Sequence, residues 1–225
     1  QIYMDHSATT PVDPEVFNAM IPYYNDRFGN ASSVHALGRQ ARQAVDQARS
    51  QVGELLGASG REIIFTSGGT EANNQAIISY LDNNPDKGKH LITSAIEHHA
   101  VLDTCLHLAK RGYELTVLPV TPDGLVEPDI LREAMKPATA LVSIMHANNE
   151  VGTIQPIKEL AAIAHAGRAI FHTDAVQTVG KLPVDVKEMN VDMLSASSHK
   201  LHGPKGVGCL YVSQGIRVGN FLHGG

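Results

Sequence analysis

The chain has 225 residues, 43% of them hydrophobic, and a formal charge of −5 with both signs interspersed. That suffices for a substantial core in one domain, or at most two small ones, and it offers no basic surface for nucleic acid or an anionic membrane. No apolar run approaches the roughly 20 residues of a membrane-crossing helix, the opening "QIYMDHSATTP" lacks a signal-peptide pattern, and two widely separated cysteines make no disulfide framework, so a reducing, cytoplasmic setting is expected.

In chain order, residues 37–56 come first as a helix. Leu37, Ala41, Ala44, Val45, Ala48, Val52, Leu55 and Leu56 fall at steps of three and four and make one apolar face. Gly57 supplies the stop. The run "EIIFT" (62–66) reads as a strand, followed by a glycine-rich turn and a helix starting near Thr70. Strand "HLITS" (90–94) leads into "SAIEHHAVLDTCLHLAKRG", where Ser94 and Glu97 stand at capping-box spacing and Lys110, Arg111 and Gly112 mark the end. Strands "ELTVLP" (114–119) and "LVSIM" (141–145) follow. "QPIKELAAIAHAG" reads as a helix that opens with Pro156 and closes at Gly167. Strands "AIFHT" (169–173), "DMLSA" (192–196) and "GCLYV" (208–212) complete the series. Most of these runs are apolar throughout rather than alternating, as in a parallel sheet covered on both faces. The last two leave no room for a helix between them and are expected as antiparallel neighbours. The fold class is therefore α/β: a doubly wound, mainly parallel seven-stranded sheet with helices on both faces.

In such a sheet ligands collect outside the carboxyl ends of the strands. After strand 62–66, Gly69 and Thr70 open a helix, and free N–H groups with a hydroxyl make a phosphate seat or simple strand-to-helix punctuation. After strand 90–94, His98 is either a partly exposed helix-start residue or a flat ring that stacks on an aromatic ligand. Asn148 and Asn149 follow strand 141–145 and are turn formers or ligand contacts. Asp174 directly follows a buried strand, where an unpaired charge is costly; it caps the next segment or serves a ligand, with Gln177 three residues on. Ser197, Ser198, His199 and Lys200 follow strand 192–196. A partly desolvated lysine there changes protonation readily, as an imine-forming amine must, although most lysines only reach for solvent. Amine, carboxylate, ring, amide and phosphate seat at one edge are the set that pyridoxal phosphate requires.

The order of motifs resembles the NifS/IscS-like cysteine desulfurases, within the class V aminotransferase-type, fold-type I pyridoxal phosphate enzymes. The matching stretches are "YMDHSATTPVDPEV", "FGNASS", "EIIFTSGGTEANN", "TSAIEHHAV", "MHANNEVGTIQPI", "FHTDAVQTVGK" and "SSHKLHGPKGVG", which span nearly the whole chain. The resemblance implies that Lys200 holds the cofactor's aldehyde as a Schiff base and moves the substrate Cα proton, and that Asp174 pairs with the pyridine nitrogen. It implies that His98 stacks on the ring and assists acid–base steps, and that Gln177 bonds the phenolic oxygen. Thr70, Ser197 and His199 would hold the phosphate, with the Gly69 backbone nearby. Asn149 would lie near the cofactor oxygen and the substrate carboxylate, and Ala8 and Thr9 would line the substrate entrance.

It further implies removal of sulfur from L-cysteine, giving L-alanine and an enzyme persulfide. That sulfur would pass to an iron–sulfur scaffold or another acceptor protein. A homodimer is implied, with no metal. Ala31 departs from the usual "GNPSS", and His6 stands at a variable position. "FLHGG" resembles the start of a family motif, so residues 1–225 would form the cofactor-binding large domain. The small domain and the sulfur-accepting cysteine would lie beyond it, leaving these residues inactive alone. Cys105 and Cys209 fall in apolar runs and read as packing residues. A selenocysteine lyase, another class V aminotransferase and a cofactor-free interaction module remain open. A metal hydrolase using His199 and His202, or Glu97, His98 and His99, matches no standard zinc spacing.

Overall fold

A computed structural model of the chain describes residues 2–224. Gln1 and Gly225, at the ends of the "QIYMDHSATTP" and "FLHGG" stretches, lie outside the described residues. The chain opens with helices α1 (Pro14–Met20), α2 (Pro22–Asn25) and the long α3 (Ala36–Leu55). Strand β1 (Ile63–Thr66) leads into α4 (Gly69–Asn74), which runs on through a π-helical turn, Gln75–Ser79, into α5 (Tyr80–Asn83). Then come β2 (His90–Ser94), α6 (His99–Lys110), β3 (Glu114–Leu118), α7 (Pro128–Ala134) and β4 (Thr139–Ser143). Helix α8 (Ile157–Ala166) and strands β5 (Ile170–Asp174), β6 (Met193–Ser197) and β7 (Gly208–Val212) complete the chain.

The strands form one seven-stranded sheet in the order β1-β7-β6-β5-β4-β2-β3. The run from β6 to β3 is parallel, while β7 pairs antiparallel with both β6 and β1. Neighbouring residues of a strand point to opposite faces, and the core divides accordingly. Ile92, Val142, Phe171, Leu194 and Tyr211 pack with Leu131 of α7 and with Leu160 and Ala164 of α8. Leu91, Leu141, Met193 and Leu210 pack with Ala72, Ala76, Ile77, Val101 and Cys105 from the α4 stretch and α6. Helices thus cover both faces, and every residue of β2, β4 and β6 is buried. All seven strands lie within two residues of their expected positions.

Two local expectations change, at the head of α6 and on the face of α3. Ser94 and Glu97 do not form a capping box, because Ser94 ends β2 and the N-cap of α6 is His98, whose ring nitrogen Nδ1 accepts from the Ala100 N–H at 3.0 Å. Gly167 does end α8, but with φ −84°, and the left-handed residue is Arg168 at φ 65°. The apolar face of α3 is only partly covered. Leu56 is buried, yet Leu37 and Leu55 are 44% and 52% exposed, and Ala41, Ala44, Val45 and Ala48 line an open groove of about 640 Å³ shared with Tyr23, Phe28 and Phe65. Neither α1 nor α2 buries a residue. Gly57 does stop α3, at φ +70°.

The sheet interior is more polar than its apolar runs suggested. His172 lies fully buried in β5, its ring bonded to Ser143 of β4 at 2.8 Å and to Ser195 of β6 at 2.9 Å. These hydroxyls satisfy the ring without a counter-charge, so burial pushes the His172 imidazole down from 6.5 to about 3. A ring that stays neutral when folded but takes a proton when unfolded weakens the fold as pH drops. Through the window from 6.5 to about 3, His172 subtracts stability at about 1.4 kcal/mol per pH unit. We expect its ring nitrogens to show no protonation between pH 8 and 5 in an ¹⁵N NMR titration. A titration midpoint within that range would contradict the burial argument.

Candidate active site

The site grows from the carboxyl ends of β5 and β6 at the middle of the sheet. Asp174 is the last residue of β5 and is 6% exposed. Its Oδ1 accepts from the Val176 N–H at 2.9 Å, so it does cap the following turn. Its Oδ2 accepts from the Asn73 side-chain amide at 2.7 Å, across from α4. Burial pushes this carboxyl upward, while the two donors, with His98 and Lys200 nearby, pull it back.

Ser197 ends β6, and a short 3₁₀ turn, Ser198–Lys200, carries Lys200 away from the sheet edge. The turn is held by the N-terminal segment. His199 O accepts from the Thr10 N–H at 2.8 Å and the Thr10 hydroxyl at 2.9 Å, and the His199 ring bonds Thr9 Oγ1 at 3.1 Å. Lys200 Nζ donates to the carbonyl oxygens of Ser7 and Ala8, the latter at 2.9 Å. Burial lowers the Lys200 amine from its ordinary value, helped by Lys181 and opposed by Asp174 and Asp5. Gln177 Nε2 donates to Ser7 O at 2.9 Å, so it too grips the N-terminal segment.

These elements enclose a cavity of about 240 Å³. Lys200, Asp174 and His98 line it, as do Gly69, Thr70 and Ser197. Ala8, Asn149, Gln177 and His199 complete the set anticipated from sequence, and only Thr9 stands behind the wall, against His199. Asn149 and Asn148 divide the two roles open to them. Asn148 Oδ1 accepts the N–H groups of Glu150 and Val151 and builds the turn, while Asn149 faces the cavity. The larger groove under α3 contains none of these residues.

Met145 and Val176 also line the cavity. Their apolar types carry no chemical signal in the sequence, so they were not legible there. Asn73 carries a signal the motifs do not single out: it follows Thr70 by three residues and so shares its helix face. Among the described residues no group of three His, Cys, Asp or Glu side chains gathers as metal ligands would. His202 bonds Pro11 O instead.

Residues 2–225 match the family described as aminotransferase class-V. The chain belongs to that family. It is 53% identical over 225 residues to cysteine desulfurase IscS of Dictyoglomus turgidum, and 54% identical over 224 residues to cysteine desulfurase IscS of Methanosarcina thermophila. Each match takes in 100% of this chain and 57% or 55% of the relative, so the chain spans little more than half the length of these curated relatives. A solved structure of SspA in complex with cysteine superimposes with a TM-score of 0.96 at 42% identity, covering 100% of this chain and 65% of that one.

Pyridoxal phosphate is the family's cofactor, and the cavity residues fit it. A Cβ at Gly69 would come within 2.7 Å of Val176 Cγ2 and push that side chain aside, so glycine leaves the backbone opening α4 bare beside the cavity. A buried carboxylate, a primary amine of lowered basicity and an imidazole share the same wall.

The two cysteines take no part in this site. Cys105 and Cys209 are buried, and burial pushes their thiols up to about 12 and about 11. Thiols held protonated and covered are poor nucleophiles. Neither is expected to react with a disulfide reagent such as DTNB at pH 8 in the folded protein, and both should react in denaturant. Prompt labelling of either in the folded protein would contradict this.

Proposed function

We propose that the protein containing this chain is a pyridoxal phosphate-dependent cysteine desulfurase, and that residues 1–225 are its cofactor-binding large domain. The observation that carries the reading is the convergence of Lys200 and Asp174 on one cavity with His98 and the Gly69–Thr70 turn. The cysteine found with the SspA neighbour supports L-cysteine as substrate. When bound, pyridoxal phosphate supplies an aldehyde for an amino-acid amine and a ring that draws electrons from the adjacent Cα.

This chain's residues do the rest. Lys200, its basicity lowered by burial, would hold the group by its aldehyde and would carry a proton to and from the substrate Cα. Asp174, pinned by Asn73 and Val176, would hold the pyridine nitrogen in its protonated form. His98 accepts at Nδ1 from Ala100, which leaves any ring proton on Nε2, and it would cover the cofactor ring and assist proton transfer. Thr70, Ser197 and His199, with the Gly69 backbone, would hold the phosphate. Gln177 would bind the phenolic oxygen, Asn149 would orient the substrate carboxylate, and Ala8 and Thr9 would wall the entrance.

The net reaction transfers one sulfur atom. L-Cysteine and a thiol become L-alanine and a persulfide, the S–C bond of the substrate exchanging for an S–S bond while its Cβ gains a proton. Cys105 and Cys209 are buried and unactivated, so the accepting thiol lies outside these residues, and the 225 residues alone do not turn over. The persulfide then serves an iron–sulfur scaffold or another acceptor protein. The bare apolar side of α3, with Phe17, Ile21, Tyr23 and Phe28 all exposed, supports a homodimer in which that side is covered. Free thiols support a cytoplasmic setting.

Borohydride reduction of the protein loaded with pyridoxal phosphate should fix the pyridoxyl group on the peptide containing Lys200. Label on another lysine, or none, would overturn the assignment. Asp174→Ala should leave that attachment site intact but lower alanine formation from cysteine in the full-length protein by about 100-fold or more, since it removes a charge-assisted hydrogen bond worth about 3 kcal/mol in the reacting state. Alanine formation at the wild-type rate would refute the role of Asp174.

A further inference from the structure

Glu97 is a buried ionisable side chain beside the cavity that has no part in the mechanism above. It is 8% exposed and immediately precedes His98, the N-cap of α6. Its Oε1 accepts from the Ser94 hydroxyl at 2.5 Å and from the Met145 N–H at 2.9 Å. Its Oε2 is buried and has no partner among the described residues. Ser94 ends β2, and Met145 follows β4, its neighbour in the sheet, and lines the cavity. One carboxyl therefore joins two adjacent strand ends to the head of a helix, beneath two residues of the cavity wall.

The ionisable groups around it are Asp174 on β5, Cys105 on α6 and His98. Two buried acids within range of each other cannot both ionise cheaply. Their hydrogen-bond partners decide between them. Asp174 has a donor on each oxygen and lies within range of the Lys200 amine. Glu97 receives both of its bonds on one oxygen, and the other is bare. A bare oxygen is far more costly on a carboxylate than on a neutral acid. Burial, with a smaller contribution from Asp174, pushes Glu97 up to about 8.

We propose that Glu97 is a positioning residue of this site: a neutral acid that fastens the ends of β2 and β4 under His98 and Met145 and leaves the negative charge at the cavity floor to Asp174. The proposal rests on the cofactor reading for its role at the site, but not for the state of its proton.

Two measurements on the full-length protein test it. The first is infrared spectroscopy without cofactor, following the carbonyl stretch of a protonated carboxyl. That band should be present at pH 7, disappear as pH rises through about 8, and be missing from Glu97→Gln. A wild-type spectrum identical to that of Glu97→Gln at pH 7 would show an ionised Glu97 and sink the idea. The second is pyridoxal phosphate affinity from absorbance titrations between pH 7 and 9. Glu97→Gln keeps an uncharged acceptor for Ser94 and Met145, so its affinity at pH 7 should stay within about 3-fold of wild type, and the weakening that wild type shows above pH 8 should vanish. Glu97→Ala loses two buried hydrogen bonds and should bind about 10-fold more weakly or worse. Wild-type affinity in Glu97→Ala, or equal losses in both variants, would overturn the positioning role. Should wild type bind no pyridoxal phosphate, the cofactor reading falls and the positioning role with it, while the infrared result still decides the proton.

Discussion

A carboxylate buried at the end of the central strand is the constraint around which this structure is arranged. Asp174 sits where β5 stops, between β4 and β6, with almost no access to water. Such a group is tolerable only where donors and positive charge converge on it. The Asn73 amide reaches it from α4, the Val176 N–H from its own turn, and the Lys200 amine and the His98 ring lie within range. Each of those partners belongs to a different segment, so satisfying one charge fixes the mutual placement of α4, the β6–β7 turn and the head of α6. The cavity is the space left between them.

The sheet topology explains why a lysine can be among those partners. A parallel crossover after β6 would have carried the chain through a helix and away from Asp174. Instead β7 returns antiparallel beside β6, and the connection needs only a turn. That turn is long, and its backbone would be loose without a second strand of support. The N-terminal segment provides it, bonding His199 and His202 from the far end of the sequence. The same segment offers the carbonyls of Ser7 and Ala8 to the Lys200 amine, which keeps that amine ordered and partly desolvated without a neutralising carboxylate in contact.

Legibility in the sequence follows from how locally each feature is determined. The strands were readable because β-rich runs between helical patterns are local facts, and the antiparallel last pair followed from loop length alone. Residues with functional atoms at strand ends, Lys200, Asp174 and His98, were readable because the position of a ligand site in a doubly wound sheet is a property of topology. The capping-box spacing of Ser94 and Glu97 falls four residues ahead of the actual N-cap, His98, where a tertiary bond to Met145 holds the glutamate. Asn73, Met145 and Val176 were silent because their importance lies in what they touch across the fold. The amphipathic pattern of α3 was real, but a pattern names a face that wants cover and says nothing of what covers it.

That last distinction separates the two regions of the molecule. Among the described residues the buried side-chain polar atoms without a partner are Asn73 Oδ1, Thr93 Oγ1 and Glu97 Oε2, in α4, in β2 and in the turn before α6. Around α1, α2 and the outer face of α3 large apolar side chains stand exposed and few contacts hold the helices down. A site whose charges are already satisfied by its own chain can be complete in its cofactor-facing half. A helical layer with a bare groove of about 640 Å³ instead presents apolar surface of the kind that docking faces carry. The chemistry of binding is thus written inside these residues, whereas the apolar face of α3 finds no matching cover among them.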